Sequence, residues 1–428
     1  VKAADGDASE PARRTRGPAE RTAGVRLALY YAAAFAGPGV ALPFLPAFLA
    51  ARGLAAEEIG AVLAAQLLAR LCFGPIAGRA ADAWGCRAQA AFLSAAAGTL
   101  ASVLVAAAPP PLQLAACALA GAVTAPLVPF GDALALNAAA QGTCDFGRVR
   151  SAGSASFIAG TLAGGVAVGR LGAEVVPWAM AGGFAATAAA ALALPRFEAP
   201  PARGRGRGLA LLRNRGFVLL LLASGLVQGS HAAHYGFSVL WWQRNGIAPG
   251  LAGAIWIIGV VAEIVLLMAG RRAGARVGPV GLLAIGASAG LVRWTATALT
   301  TEPVILGALQ VLHALTFGAT MLGAAGLIVR LVPAELGATA QALHAAAGPG
   351  LFTLALTASS GPLYGRFGGG VFLAMAAACA LALLAITALA RGSGPRRAEV
   401  ERSAGSLGVR ISAAGRPPRT KRRHARGG

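Results

Sequence analysis

The stretch RLALYYAAAFAGPGVALPFLPAFL, from Arg26 to Leu49, has a charge at its first residue and none after it. At the 1.5 Å rise of a helix, its 24 residues reach about 36 Å, more than the roughly 30 Å of hydrocarbon in a bilayer. A helix on a water-soluble domain keeps one polar face, and this one has none. It reads as a membrane crossing.

Working outward, stretches of the same kind recur along the chain: 58–80, 88–108, 111–136, 149–170, 174–195, 216–242, 249–270, 277–299, 303–329, 338–365 and 368–390. With 26–49 they make twelve. The breaks fall on charge or turn residues, such as Arg52-Gly53 and Pro109-Pro110-Pro111. Composition agrees: 57% of the residues are apolar and only 12% charged, whereas a soluble domain carries about 25% charged residues. A soluble enzyme and a disordered chain are both excluded. The fold expected is an all-α membrane protein.

Net charge is +21, and it must lie outside the hydrocarbon. With both ends in the cytoplasm, the cytoplasmic segments before the C-terminal tail hold 20 Arg and Lys, against four (Arg52, Arg170, Arg244, Arg366) on the other side. Cytoplasmic loops carry the basic excess, so this orientation is expected, in the inner (plasma) membrane of a bacterium. The longest internal polar break, 196–215, holds six Arg and divides the chain six helices against six. The expected organisation is a cytoplasmic tail at 1–25, six-helix bundles at 26–195 and 216–390, a cytoplasmic loop at 196–215 between them, and a basic disordered tail at 391–428. The start of the chain lacks the short apolar stretch and cleavage site of a secretory signal. The C-terminal tail reads as a solvated segment that reinforces topology, not as a nucleic-acid-binding arm. Five cysteines without a CxxC pair argue against a disulfide framework or a cysteine metal site.

Several motifs carry a resemblance. Gly78-Arg-Ala-Ala-Asp82-Ala-Trp-Gly85-Cys-Arg87 is similar to the helix 2–3 loop signature of the major facilitator superfamily, with Ala83 where a basic residue is usual. Pro129-Phe-Gly-Asp132, Asp145-Phe-Gly-Arg148-Val-Arg150, Gln228-Gly-Ser-His231-Ala-Ala-His234-Tyr235-Gly236, Glu263, Arg293-Trp294 and Gln310-Val-Leu-His313 resemble the phenylpropionate permease-like branch, itself similar to oligosaccharide and nucleoside proton symporters. The order holds across nearly all twelve helices. Ser151-Ala152 and Met321-Leu322 depart from the branch pattern. The resemblance implies two six-helix halves rocking about a midplane site, no cofactor and no metal, action as a monomer, and a proton and a small solute as the partners. Its Gly78, Asp82, Gly85 and Arg87 would gate.

The intramembrane polar residues are few. Apart from Glu58 and Glu174 at the first residue of their spans, only Asp132 and Glu263 are acids inside spans. Glu263 lies eight residues from Arg271, roughly 12 Å deep. A carboxyl there prefers to be neutral, which suits proton uptake from one side and release to the other; a neutral Glu locking two helices is the alternative. Asp132 is a second coupling candidate, although its depth also suits a helix-end contact with Arg148 or Arg150. Gln228, His231 and Tyr235 fall at i, i+3 and i+7, one helix face, and are expected to face a cavity, with His313 opposite and His234 off the stripe. Arg70, mid-span in helix 2, could clamp a carboxylate or balance charge. Arg293 could do the same, or snorkel. Trp241 and Trp242 are expected at the outer interface, and His344 in a helix–helix hydrogen bond.

Two other functions share these features: efflux of amphipathic compounds by proton antiport, and a membrane-embedded enzyme or sensor. No HExxH, Walker-type or paired acidic motif is present in the sequence. The reading is therefore a secondary transporter, importing a small organic solute with a proton; the resemblance implies an aromatic carboxylate such as phenylpropionate first and a nucleoside or sugar next.

Overall fold

The computed structural model describes residues 18–195, 208–333 and 336–392. The expected cytoplasmic tail at 391–428, all but its first two residues, and the first part of the 196–215 loop lie outside them, as do residues 1–17.

The described chain is all helix and turn. Its helices are α1 (Pro18–Ala51), α2 (Ala56–Ala83), α3 (Arg87–Ala107), α4 (Gln113–Thr124), α5 (Leu127–Ala140), α6 (Phe146–Leu171), α7 (Val175–Ala191), α8 (Arg215–Gly229), α9 (Ala232–Arg244), α10 (Pro249–Leu299), α11 (Pro303–Val311), α12 (Thr320–Leu331), α13 (Gly337–Ala345), α14 (Leu351–Phe367) and α15 (Val371–Gly392). Ten segments are long and apolar enough to cross a membrane, the last of them the 53-residue Thr339–Arg391. The protein is thus an all-α, multi-pass membrane protein.

Helix ends follow local chemistry. Pro18 opens α1, eight residues before the expected start, because proline suits a first helical turn, where its missing N–H costs nothing. The Asp145 carboxylate caps α6 by accepting from the Arg148 N–H at 2.9 Å, satisfying one of the free donors at that end. In α10 the helical path breaks at Gly278, whose φ of +73° is one that L side chains rarely adopt. That break separates the expected spans 249–270 and 277–299.

Four expected spans are interrupted. Helix 4 is two pieces, α4 and α5, meeting at Pro126. Helix 7 is α8 and α9, separated by a turn at Ser230-His231. Wide π turns at Ala314–Ala319 and Ala346–Gly350 join α11 to α12 and α13 to α14. Such insertions are common at functional sites.

The connection at Arg52–Ala55 marks one end of the molecule and the turn at Trp84–Cys86 the other. α1 packs along α6 and α7, and α2 along α4; α10 packs along α15 and α12, and α8 along α15 and α14. Between these groups, α2 meets α14 and α6 meets α10. Both meetings are backbone-close towards the Arg52 end. A Cβ on Gly60 would lie 2.8 Å from the Gly361 Cα, and one on Gly165 would lie 2.8 Å from the Pro249 carbonyl oxygen. Small residues let membrane helices approach this closely.

The aromatic expectation needs correction. Trp242 is fully buried, and Trp241 packs on Gly368 and Gly369, whose missing side chains leave room for the indole. Trp84 and Trp178 are the exposed tryptophans, one near each end, where the amphipathic indole suits a lipid headgroup region.

Candidate functional site

Two cavities lie between the helix groups. One, of about 310 Å³, is lined by Arg150, Phe157, His234, Trp256, Glu263 and His313, among others. The second, of about 360 Å³, is lined by Gln66, Arg70, Thr124, Phe184 and Thr357, among others. Leu42 and Tyr235 belong to both walls.

Behind the first cavity stands a polar network. Arg293 is fully buried. It does not snorkel, because its partners lie inside: it donates to Gln310 Oε1 at 2.6 Å, His313 Nδ1 at 3.1 Å and Thr316 Oγ1 at 3.2 Å. Its guanidinium carbon stands 4.3 Å from the Trp294 ring centre. Arginine can only donate, so His313 Nδ1 must accept. The remaining nitrogen, Nε2, then carries the proton and faces Glu263 Oε2 at 3.4 Å. Glu263 and Arg293 therefore do not meet directly; His313 stands between them. Glu263 itself opens on the cavity.

The broken helix 7 redistributes its polar residues. The Ser230 hydroxyl donates back to the Val227 carbonyl at 2.6 Å, a local bond that competes with helix geometry. The chain turns there, and although the His231 and Tyr235 rings still stack with centres 5.7 Å apart, the expected stripe of Gln228, His231 and Tyr235 does not face a cavity as a unit. His231 is fully buried and is no part of either cavity wall. Its Nδ1 meets the Gln228 carbonyl at 3.0 Å, and its Nε2 meets Thr316 Oγ1 at 3.0 Å. Gln228 reaches the Phe317 carbonyl at 3.4 Å. Tyr235 alone of the three lines the cavities, joined by His234, which lay off the expected stripe.

The remaining candidates lie elsewhere. Asp132 accepts from the Tyr31 hydroxyl at 2.5 Å and lies 3.6 Å from Arg150; Arg150 also covers the Phe35 ring at 4.4 Å. Of the two expected partners for Asp132, Arg150 takes the place, and Arg148 is left at the α6 cap. Asp82 pairs with Arg87 at 2.6 Å across the turn at Gly85, where φ is +63°. Gly78 has open space beside it. Arg70 lines the second cavity, and no carboxylate pairs with it among the described residues. His344 meets Ser224 Oγ at 2.8 Å. At the Arg52 end, Arg52 grips Glu174 with two bonds of 2.7 Å. Donating to the Glu174 carboxylate pushes the Arg52 pKa up from its ordinary value.

Known proteins match this chain along most of its length. The model of the MFS_1 like family covers residues 25–374. The chain belongs to that family. It is 32% identical over 374 residues, covering 82% of this chain and 93% of the relative, to a protein of Escherichia coli (strain K12) described as a probable 3-phenylpropionic acid transporter. It is 29% identical over 277 residues to the maltose permease of Geobacillus stearothermophilus, covering 64% of this chain and 70% of that one. Among solved structures, the nucleoside transporter NupG superposes with a TM-score of 0.77 at 16% identity, covering 86% of this chain and 98% of that one. At that identity the likeness speaks to fold alone. This family member is a transporter of the major facilitator superfamily, close to the phenylpropionate permease-like branch, and not an enzyme. It moves a small organic solute across the membrane by secondary transport.

Proposed function

We propose that the chain imports an aromatic carboxylate together with a proton, by alternating access. The observation that carries the reading is a carboxyl, Glu263, opening on a cavity walled by aromatic side chains and touching a histidine whose tautomer a buried arginine sets. A carboxyl in such a place takes up a proton when the cavity is wet and loses it when the surroundings change. Glu263 is the coupling residue, and His313 and Arg293 hold it in place. Asp132, bonded to Tyr31 and Arg150, belongs to the packing of α1, α5 and α6 in this reading.

Arg70, which pairs with no carboxylate among the described residues, stands at the wall of the neighbouring cavity and holds the solute carboxylate, with Gln66 and Tyr235 on the same wall. A paired guanidinium and carboxylate is a strong recognition unit, and phenylpropionic acid, named for the Escherichia coli relative, is such a solute. Twelve crossings in two six-helix halves, 26–195 and 216–390, follow if α7 crosses and Thr339–Arg391 crosses twice. Both chain ends then face the cytoplasm of the bacterial inner membrane, and one copy suffices. The close approaches at Gly60 and Gly165 then close the outer side, with the Asp82–Arg87 turn on the cytoplasmic side.

The test is uptake of radiolabelled phenylpropionate into proteoliposomes under an imposed pH gradient, for wild type and Glu263→Gln. Wild-type uptake should rise with the gradient, and the variant should lose at least ten-fold of the gradient-driven part while keeping exchange. Undiminished gradient-driven uptake in the variant overturns the coupling role of Glu263. Uptake driven instead by an outward proton gradient would favour export by antiport.

A further inference from the structure

The first cavity holds a histidine that the network around Glu263 does not use. His234 is 3% exposed, and neither ring nitrogen has a hydrogen-bond partner among the described residues; Nδ1 is sealed from the cavity altogether. Buried polar groups are normally paired, so an unpartnered imidazole on a cavity wall asks for a ligand.

Its surroundings fix it as a rigid wall. The Trp256 indole stacks on the imidazole with ring centres 4.6 Å apart and planes 16° from parallel. Trp256 Nε1 donates to Ser238 Oγ at 3.1 Å, and the Ser238 hydroxyl donates to the His234 carbonyl. The Trp256 indole is thus tied to α9, the helix that carries His234. A neutral imidazole carries one N–H. Placing it on Nδ1 would bury a donor with no acceptor, a rare arrangement in proteins. The proton therefore sits on Nε2, the nitrogen that a bound solute can reach. His234 presents one fixed N–H donor to an aromatic-walled space.

Arg70 and His234 stand on different cavities that share Tyr235 and Leu42. A solute whose carboxylate meets Arg70 extends past Tyr235 towards His234. We propose that His234 is a specificity residue that donates to an oxygen on the solute's ring, so that the preferred substrates are aromatic carboxylates carrying a ring hydroxyl or carbonyl. This rests on the aromatic-acid reading above and deepens it.

The experiment measures binding and uptake of phenylpropionate and its 3- and 4-hydroxy derivatives by the purified full chain. Wild type should favour at least one hydroxylated acid by about ten-fold in KM, the worth of one neutral hydrogen bond. His234→Phe keeps a ring on Trp256 and should bring that ratio to about one. His234→Gln, which restores an N–H donor, should recover part of it. A ratio unchanged in His234→Phe, a uniform loss for all three acids, or a wild type indifferent to the hydroxyl would overturn the proposal. If none of the three acids binds to wild type, the aromatic-acid reading itself falls, and this inference with it.

Discussion

The helices before and after the 196–215 break use charge differently. In α1 to α7 the ion pairs sit at helix ends: Arg52 with Glu174 at one end, Asp82 with Arg87 at the other, and Asp132 with Arg150 nearby. In α8 to α15 the polar groups are drawn inside, where Glu263, His313, Arg293, Gln310, Thr316 and His231 form one connected set. Arg70 is the exception in the first group. End pairs in water contribute little net energy and can break and reform as helices move. Interior groups have no water to fall back on, so each depends on its neighbours. The first group is built to be held in shape from its rims, and the second to respond to a change of charge within.

Four substitutions test this contrast. Arg293→Ala should have the largest effect. It leaves Gln310 Oε1 and His313 Nδ1 without a partner, at about 1–3 kcal/mol for each unpaired buried group, read as a fall in melting temperature in detergent together with loss of uptake. A variant as stable as wild type would break the contrast. Next is Gly60→Trp, which forces an indole into the α2–α14 contact. Overpacking costs about 1–3 kcal/mol, and separating the helices relieves it. Spin labels at Ala55 and Phe367 should report a longer distance than in the parent; an unchanged distance would mean that this contact does not open.

Arg52→Gln comes third. It removes both bonds to Glu174 and the bond to the Ala106 carbonyl, yet the pair is partly exposed. The expected loss is about 1 kcal/mol, with uptake retained. The smallest effect is expected for Asp82→Asn, which weakens a single bond with the half-buried Arg87 and keeps an oxygen to accept it, at about 0.2–1 kcal/mol. Thermal melting should barely move, while the rate of solute exchange changes if the turn at Gly85 takes part in gating. A large destabilisation in either end-pair variant would erase the distinction between rim and interior.

Much of the fold was legible in the sequence, because hydrocarbon admits so few solutions. Runs of about 20 apolar residues bounded by Arg or Pro had to be helices, and the expected bounds fall within a few residues of the observed ones except at α1. The breaks inside spans were harder to read. Pro126 and Gly348-Pro349-Gly350 mark two of them in the sequence, but Ser230 and the π turn at Ala314 depend on how neighbouring helices satisfy the freed backbone groups. The misplacement of His231 follows from packing: three-and-four spacing does set it beside Tyr235, but Thr316 and Trp294 cover its ring away from the cavities. Trp241 and Trp242 were misjudged because nothing local reveals that Gly368 and Gly369 make room for an indole. His234 could have been found by asking which polar residue of helix 7 falls opposite a tryptophan one helix later.

The sequence by itself determined a membrane-embedded helical chain, its family likeness and the short list of polar residues that lipid would not tolerate unpaired, since each follows from composition and spacing along one strand of backbone. Which of those residues meet was decided only in three dimensions. Arg293 and His313 are 20 residues apart in the chain, His231 and Thr316 are 85 apart, and hydrogen bonds reach about 3 Å. Only the packing of α8 to α12 brings such groups within that reach, and only the meeting of the helices before and after the 196–215 break leaves Glu263, Arg70 and His234 on cavity walls.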